Sequence, residues 1–317
     1  MISIDNNSAS ARGTLSRRTV VLASLGMLLT AVVWGLSFVS TKVLSEKPIG
    51  LSPVQIYLIR FIMAYAVILC VCHKKLFSYS WRDELLFVLL GLSGGSIYFV
   101  TENIAVTLTA VANVSLITTL SPLITIFLVG ILYRSERPSR WIVMGSVVAL
   151  MGVALVVFGG DANAQIHPAG DLLALGAAVS FAIYSILIKK VNAIYTTWFI
   201  TRKTFFYGII TAIPFLFMEP ASSHAPLSVI LRPEAILNLA FLGLVCSLTA
   251  YLMMARAIKV IGPVKANNYL YAQPIVTMLA GWIVLHEKVT WTGWLGSALI
   301  IGSLWLGETL NRKFSRK

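Results

Sequence analysis

The sequence contains few charged residues, and this shortage excludes most classes of soluble protein. Only 12% of the 317 residues are charged, about half of the roughly 25% that soluble proteins carry. Hydrophobic residues make up 58% of the chain, and the mean hydropathy is +0.85. So few charges could not cover that much apolar surface in water. We therefore exclude a disordered chain, a fibrous repeat and an ordinary cytosolic enzyme, and predict a polytopic membrane protein.

Cysteine and the motifs of metal and nucleotide chemistry are also scarce. Cys70, Cys72 and Cys246 lie within apolar runs and lack the spacing of metal ligands, which favours packing over disulfides or a zinc site. The sequence has no H-E-x-x-H pair and no Gly-rich loop ending in Gly-Lys-Ser or Gly-Lys-Thr, so direct ATP drive is unsupported. We predict no metal site, no cofactor and no catalytic residue.

What the chain has in abundance is long apolar runs, each near the roughly 20 residues that a helix needs to cross a bilayer. The ten runs are Val20–Thr41, Pro53–Cys72, Glu84–Ala105, Thr109–Leu132, Trp141–Phe158, Asp171–Ile188, Thr196–Phe217, Ala235–Ile258, Gly262–Leu285 and Thr292–Leu310. We predict an all-α membrane protein with ten transmembrane helices, flanked by tails at residues 1–19 and 311–317.

The net charge of +13 is explained by orientation in the membrane rather than by nucleic acid, which we do not expect as a partner. With the N-terminus inside, eighteen lysines and arginines fall in cytoplasmic segments. Only Lys42, Lys47, Arg232 and Lys288 fall in outer loops. Cytoplasmic loops of membrane proteins carry such an excess. We therefore predict a multi-pass protein of the inner or plasma membrane with both tails in the cytoplasm, and the sequence is compatible with a monomer.

The sequence also matches itself at a shift of about 150 residues. The run Leu85–Leu123 aligns without a gap with Leu237–Ile275 at a shift of 152, which places Gly91 on Gly243. Near the start of each half, Trp34 falls on Phe181 at a shift of 147.

The repeat predicts two five-helix units, at residues 20–159 and 171–310, joined by a loop at 160–170. Because each unit holds an odd number of helices, the two units cross the membrane in opposite senses. Many secondary transporters use such inverted repeats.

Short motifs within both halves resemble a known family. They are Trp34-Gly35-Leu36-Ser37-Phe38 with Lys42, Arg60-Phe61, Pro122 with Glu136, and Gly145 with Gly152, followed in the second half by Pro274, Glu287, Gly296 and Gly302. Together they resemble the EamA-type branch of the drug/metabolite transporter superfamily over about Leu22–Leu310. The resemblance implies ten helices, a central cavity and export of small metabolites, which in that family include amino acids, purines, drugs and sugar derivatives.

Polar and aromatic residues inside the apolar runs are the candidates for a substrate site. A polar group in hydrocarbon costs a few kcal/mol, so it needs a partner or a water-filled cavity. We predict a cavity walled by Trp34, Tyr98, Glu102, Asn113, Tyr184, Tyr251, Lys265 and Asn268.

Two of these residues leave alternatives open. Glu102 is either a neutral acid bonded to a neighbour, or a proton-coupling site and counter-ion to a substrate amine. Lys265 is either an end-of-helix lysine that reaches cytoplasmic water, or a cavity lysine that meets a substrate carboxylate. Together the two charges would suit a zwitterion such as an amino acid, or they would pair with each other.

Three further residues are candidates for bending or gating. Arg60 is either a packing or snorkelling residue or a gating residue. Pro122 and Pro274 remove a backbone donor at matched places, so they should bend the fourth and ninth helices, either as shaping elements or as hinges.

These features favour a secondary transporter that exports a small polar or amphipathic metabolite, an amino acid among the candidates. The drive would be the solute's own gradient or proton exchange. An intramembrane enzyme acting on a lipid-soluble substrate is the alternative, and a membrane sensor is the third. Both are disfavoured, the enzyme because no acids, histidines or cysteines converge at one depth and the sensor because the short tails hold no partner domain.

Overall fold

A computed structural model describes residues 16–74, 76–109, 111–133, 138–158, 167–284 and 290–314. The regular secondary structure of these residues is helical and includes no β-strand, which confirms the predicted all-α class. Most of the predicted N-terminal tail, the last three residues, and the motif residues Glu136 and Glu287 lie outside the described residues.

Fifteen helices are described in these ranges. They are α1 (Arg17–Ser45), α2 (Pro53–Val71), α3 (Trp81–Gly91), α4 (Ile97–Leu108), α5 (Val111–Thr118), α6 (Ser121–Leu132), α7 (Arg140–Phe158), α8 (Pro168–Val191), α9 (Thr197–Met218), α10 (Leu227–Ile230), α11 (Pro233–Ala240), α12 (Ala250–Ile261), α13 (Pro263–Asn268), α14 (Gln273–Val284) and α15 (Trp291–Phe314).

Six helical stretches of the described chain are long and apolar enough to cross a bilayer by length and composition. They are Arg17–Ser45, Pro53–Val71, Trp81–Leu108, Val114–Leu132, Pro168–Val191 and Pro233–Ile261. These stretches support a multi-pass membrane protein, and the count of ten crossings remains a prediction.

Polar side chains fix where several of these helices begin. The Ser52 side chain accepts a hydrogen bond from the Gln55 backbone N–H, the Gln55 side-chain oxygen accepts one from the Ser52 backbone N–H, and Pro53 occupies the first turn of α2. Thr196 caps α9 in the same way through the Phe199 backbone N–H. Such caps satisfy donors that the helix itself leaves unpaired, so the boundaries follow from local sequence.

Two π-helical segments interrupt the regular helices at related places. Leu92–Ser96 joins α3 to α4, and Phe241–Thr249 joins α11 to α12. Adding the repeat shift of 152 to residues 92 and 96 gives 244 and 248, which lie inside the second segment. Single π-helical turns are rare in α-helices and are frequent at functional sites, so the matched pair directs attention to the residues around them.

The two predicted proline positions also coincide with breaks in helical geometry. Pro122 lies in the first turn of α6, after a turn at residues 119–120 that follows α5. Pro274 lies at the start of α14, after the 3₁₀ segment Tyr269–Ala272. A proline has no N–H to donate, and the first turn of a helix is where that loss matters least. The breaks shape the chain at both places, and a gating role for either proline remains a prediction.

The main hydrophobic core lies between the two halves of the chain. Phe61 of α2 and Phe205 of α9 meet there with ring centres 4.9 Å apart. Both rings are fully buried, so apolar side chains from the first and second halves pack into one continuous core.

Close backbone contacts depend on glycine. A Cβ atom built on Gly91 of α3 would lie 2.6 Å from the Gly208 nitrogen of α9, and one built on Gly243 would lie 3.1 Å from the Arg60 carbonyl oxygen. On α7, a Cβ atom at Gly152 would lie 2.7 Å from the Gly296 carbonyl oxygen of α15. The absence of a side chain therefore allows these helices to pack with their backbones in near contact.

A buried ion pair joins α3 to α9. The Lys203 ammonium donates to both carboxylate oxygens of Glu84, at 2.7 and 2.9 Å, and the Tyr207 hydroxyl donates to the same carboxylate at 2.7 Å. Both charged residues are buried. The hydrogen bonds to the carboxylate compensate for the burial of the two charges. Removal of either partner would leave an unpaired buried charge and destabilise the fold.

The glycine contact predicts opposite effects for two similar substitutions. We expect Gly152→Ala to lower the free energy of unfolding by about 1–3 kcal/mol, the usual cost of overpacking, because the new methyl group meets backbone. The control Gly302→Ala has open space around it, so its better helix propensity should be neutral or stabilising by up to about 1 kcal/mol. Thermal unfolding in detergent measures both, and equal effects would contradict the contact.

The ion pair predicts non-additive losses of stability. We expect Lys203→Met to cost about 3–5 kcal/mol because it leaves a buried charge unpaired, and the double change with Glu84→Gln to cost less than Lys203→Met alone. The control Lys42→Met breaks the more exposed pair of Lys42 and Glu46, 3.3 Å apart, and should cost less than about 1 kcal/mol. Additive costs at Glu84 and Lys203 in a double-mutant cycle would contradict the coupling.

Candidate functional site

A cavity lies at the centre of the helices and is lined from both halves of the chain. It is narrow in this conformation, with a volume of about 10 Å³, which is close to the space that one water molecule needs. Its lining residues are Trp34, Ser37, Phe38, Arg60, Tyr98, Phe99, Glu102, Phe181, Tyr251 and Gln273. The set combines aromatic rings with one carboxylate, one guanidinium and two neutral polar side chains, which is the composition of a site for a small amphipathic solute.

Hydrogen bonds to the two π-helical segments hold the aromatic wall in place. The Trp34 indole N–H donates to the Cys246 carbonyl oxygen at 2.7 Å, and the Tyr251 hydroxyl donates to the Gly94 carbonyl oxygen. Cys246 belongs to the second segment and Gly94 to the first. Each ring is therefore anchored by backbone from the opposite half of the chain.

The anchored rings pack against one another in edge-on contacts. The centre of the Trp34 ring lies 5.5 Å from that of Phe181 and 5.8 Å from that of Tyr251. Such edge-on geometry is favourable for aromatic pairs, so the wall is a packed surface rather than a set of independent side chains.

Glu102 contributes the carboxylate of the cavity. It is 8% exposed, and the Tyr98 hydroxyl, one helical turn earlier on α4, donates to it at 2.6 Å. Among the described residues, no lysine, arginine or histidine nitrogen lies within 4 Å of its oxygens. Glu102 is therefore held by one neutral donor and retains capacity for a further ligand.

Arg60, which was predicted to be either a packing or snorkelling residue or a gating residue, contributes the guanidinium of the cavity. The side chain is 1% exposed, so it lies inside the protein and does not reach water. Its Nε donates to the Ser247 hydroxyl at 2.9 Å, and its guanidinium carbon lies 4.4 Å from the centre of the Phe99 ring. The buried position excludes snorkelling and agrees with packing, because α2 directs this side chain into the cavity rather than along the helix to its end, and a gating role remains a prediction.

Lys265, by contrast, is separated from this cavity. It is the third residue of α13, which begins directly after Gly262, and its side chain is exposed. It lines a different depression at the helix ends, together with Ser139 and Asn311. The structure thus favours an end-of-helix lysine, and the predicted pairing with Glu102 is wrong because the two residues lie in separate cavities.

The remaining predicted residues lie outside the cavity lining or outside the described residues. Asn268 accepts a hydrogen bond from Ser146 of α7 at 3.5 Å. Tyr184 is fully buried behind the wall, where its ring contacts Tyr251 at 5.7 Å. The side chain of Asn113 is not among the described residues. Of the eight predicted wall residues, the structure brings together Trp34, Tyr98, Glu102 and Tyr251.

The internal repeat held a signal for two lining residues that sequence reasoning missed. Phe181 is the repeat counterpart of Trp34, and Phe99 precedes Tyr251 by the repeat shift of 152 residues. Both counterparts of the predicted aromatics line the same cavity. Gln273 had a weaker signal, since a glutamine inside an apolar run is unusual.

Comparison with known proteins identifies the class of protein. The EamA-like transporter family matches residues 21–158 and again 168–307. An uncharacterized transporter of Archaeoglobus fulgidus is 29% identical over 293 residues, which cover 92% of this chain and 98% of the relative. A protein of Streptantibioticus cattleyicolor, named as a probable terminal-alkyne amino-acid exporter, is 26% identical over 235 residues, or 73% of this chain and 76% of that protein.

A solved crystal structure shares the fold. It superimposes with a TM-score of 0.72 at 19% identity and covers 94% of this chain and 99% of that one. The family's domain occurs twice and spans nearly the whole described chain. The chain therefore belongs to the EamA-like transporter family of the drug/metabolite transporter superfamily.

Proposed function

We propose that this chain is a secondary transporter that exports a small metabolite by alternating access across the inner or plasma membrane. Membership of the family makes it a membrane transporter rather than an enzyme, which sets aside the intramembrane enzyme. In the proposal it has ten transmembrane helices, arranged as two inverted five-helix repeats at residues 20–159 and 171–310.

The observation that carries the proposal is a cavity lined by both repeats. Trp34, Arg60 and Glu102 come from the first repeat, and Phe181 and Tyr251 come from the second. Transporters with inverted repeats bind their solutes at the interface of the repeats, because rocking of one half against the other then exposes the site to either side of the membrane. A cavity at this interface is the arrangement that alternating access requires.

The lining favours a small amphipathic solute, and an amino acid is the simplest one. Aromatic rings offer contact to an apolar side chain, while Glu102 and Arg60 offer one charge of each sign. The cavity is narrow in the described conformation, at about 10 Å³, so in the proposal the solute enters as the two halves move apart. One relative is named as an amino-acid exporter, and an amino acid is a solute of the kind that this lining favours.

Proton exchange is the proposed drive, with Glu102 as the coupling group. Glu102 is buried and hydrogen-bonded to a neutral hydroxyl, so it can hold a proton in one state and release it in another. Ionisable residues inside the membrane mark ion and substrate pathways. The alternative is transport driven by the solute's own gradient alone. An experiment that varies the pH distinguishes it from proton exchange.

The topology predicts which side of the membrane each loop faces. We expect a fluorescent reporter fused after Lys317 to be active and alkaline phosphatase fused there to be inactive, because the charge asymmetry keeps the C-terminus in the cytoplasm. The control is the same pair fused after His224, between α9 and α10, where the activities should be reversed. Phosphatase activity after Lys317 would overturn the ten-helix topology.

Coupling predicts a loss of pH dependence at Glu102. We expect Glu102→Gln to abolish the pH dependence of flux in proteoliposomes, since glutamine keeps the size and hydrogen-bonding capacity but cannot ionise. The matched control Tyr98→Phe removes the hydrogen bond and leaves the carboxyl group, so the pH dependence should persist. Uptake of each of the twenty radiolabelled amino acids, with and without an imposed pH gradient, measures both, and unaltered pH dependence in Glu102→Gln would exclude Glu102 as the coupling group.

A further inference from the structure

The Arg60 guanidinium has a hydrogen-bond donor with no partner. Its Nη2 atom is buried and makes no hydrogen bond within the described part of the chain. At least about 90% of buried polar groups in proteins are paired, and an unpaired one destabilises the fold, most of all when it belongs to a charged group. An unpaired donor on a charged side chain that lines a cavity therefore calls for a ligand.

The other contacts of Arg60 orient the guanidinium without neutralising it. Nε is occupied by the neutral Ser247 hydroxyl at 2.9 Å, and one face lies over Phe99 at 4.4 Å. Within the described residues, no carboxylate oxygen lies within 4 Å of the group. The positive charge is thus held in a fixed direction, and Glu102, the carboxylate that shares its cavity, acts on it at a distance and leaves its free donor unoccupied.

A carboxylate is the group that fits this arrangement best. The planar guanidinium presents its N–H donors as a fork that matches carboxylate geometry, and charge-assisted hydrogen bonds of this kind are about twice as strong as neutral ones. The cavity that Arg60 lines also contains Glu102, which suits an ammonium group. The two charged residues therefore supply complementary groups for the two ends of a zwitterion.

From this geometry we infer that Arg60 binds the carboxylate of the transported solute while Glu102 binds its ammonium group. The substrate class is then α-amino acids whose apolar side chains contact the rings of Trp34 and Phe181. The inference deepens the proposed function and rests on it, because it assigns a substrate class to the cavity proposed for transport. Arg60 thereby takes the role of carboxylate-binding residue that was predicted for Lys265, which lies outside this cavity.

The test compares amino acids with their carboxamides, which keep the ammonium group and lose the carboxylate. Binding to the purified full-length protein is measured by thermal shift and by radioligand competition for all twenty amino acids and their amides. We expect the wild type to bind an amino acid at least about tenfold more tightly than its amide, as loss of a charge-assisted hydrogen bond implies.

Substitutions then assign that preference to Arg60. Relative to the wild type, Arg60→Gln should weaken binding of the amino acid at least about tenfold and change binding of the amide by no more than about threefold. The control Ser247→Ala removes the internal partner of the guanidinium but keeps its charge, so the preference for the amino acid should persist. Should Arg60→Gln fail to fold, Arg60→Lys keeps the charge without the fork and should retain part of the preference.

Two patterns of results would overturn the inference. Wild-type protein that binds no amino acid, or binds amides equally well, would exclude a carboxylate site. A preference lost equally in Ser247→Ala and Arg60→Gln would make Arg60 a structural link between α2 and the second π-helical segment.

Flux in proteoliposomes separates this inference from the proposed function. Carboxylate-dependent binding without flux would leave the site intact and contradict transport. Flux of a solute without a carboxylate, unchanged in Arg60→Gln, would support transport and overturn the site.

Discussion

Two hydrogen bonds that cross between the halves of the chain determine the shape of the cavity. Trp34 donates to a carbonyl of the second π-helical segment, and Tyr251 donates to a carbonyl of the first. In a membrane the polar ends of these rings have no water to bond, so a backbone acceptor inside the protein fixes their position. Phe181 then packs on Trp34, and the charged residues face the space that the rings leave. The aromatic wall therefore belongs to neither half alone.

Sequence patterns predicted the elements of the fold better than the directions of its side chains. The apolar runs and caps such as Ser52 located helices, because these signals are local. Trp34 and Glu102 could be assigned to a cavity since polar and aromatic groups in hydrocarbon need a special setting. Arg60 could not be assigned to the cavity from the sequence, because the helices that surround α2 determine whether its side chain reaches water or the interior. The prediction that Lys265 lines the cavity is wrong for a related reason. The repeat aligns Lys265 with Asn113, but an alignment of sequences does not give the depth of a side chain in the membrane or its exposure.

The charge of the cavity is divided unequally between the repeats. Arg60 and Glu102 both belong to the first repeat, whereas Phe181, Tyr251 and Gln273 of the second are neutral. Under the repeat shift of 152, Glu102 corresponds to Met254, an apolar residue. A buried cation and a buried anion on the same half lower each other's electrostatic cost even without direct contact. The neutral half can then move against the charged half without separating the two charges.

The matched π-helical segments also set the register of the helices that follow them. A π-helical turn bonds residue i to residue i+5 and so takes in one residue more than an α-helical turn. Loss of one residue from either segment, at 92–96 or 241–249, would restore regular α-helical bonding but rotate the following helix by one residue position. The carbonyl groups of Gly94 and Cys246 would then no longer meet the rings of Tyr251 and Trp34.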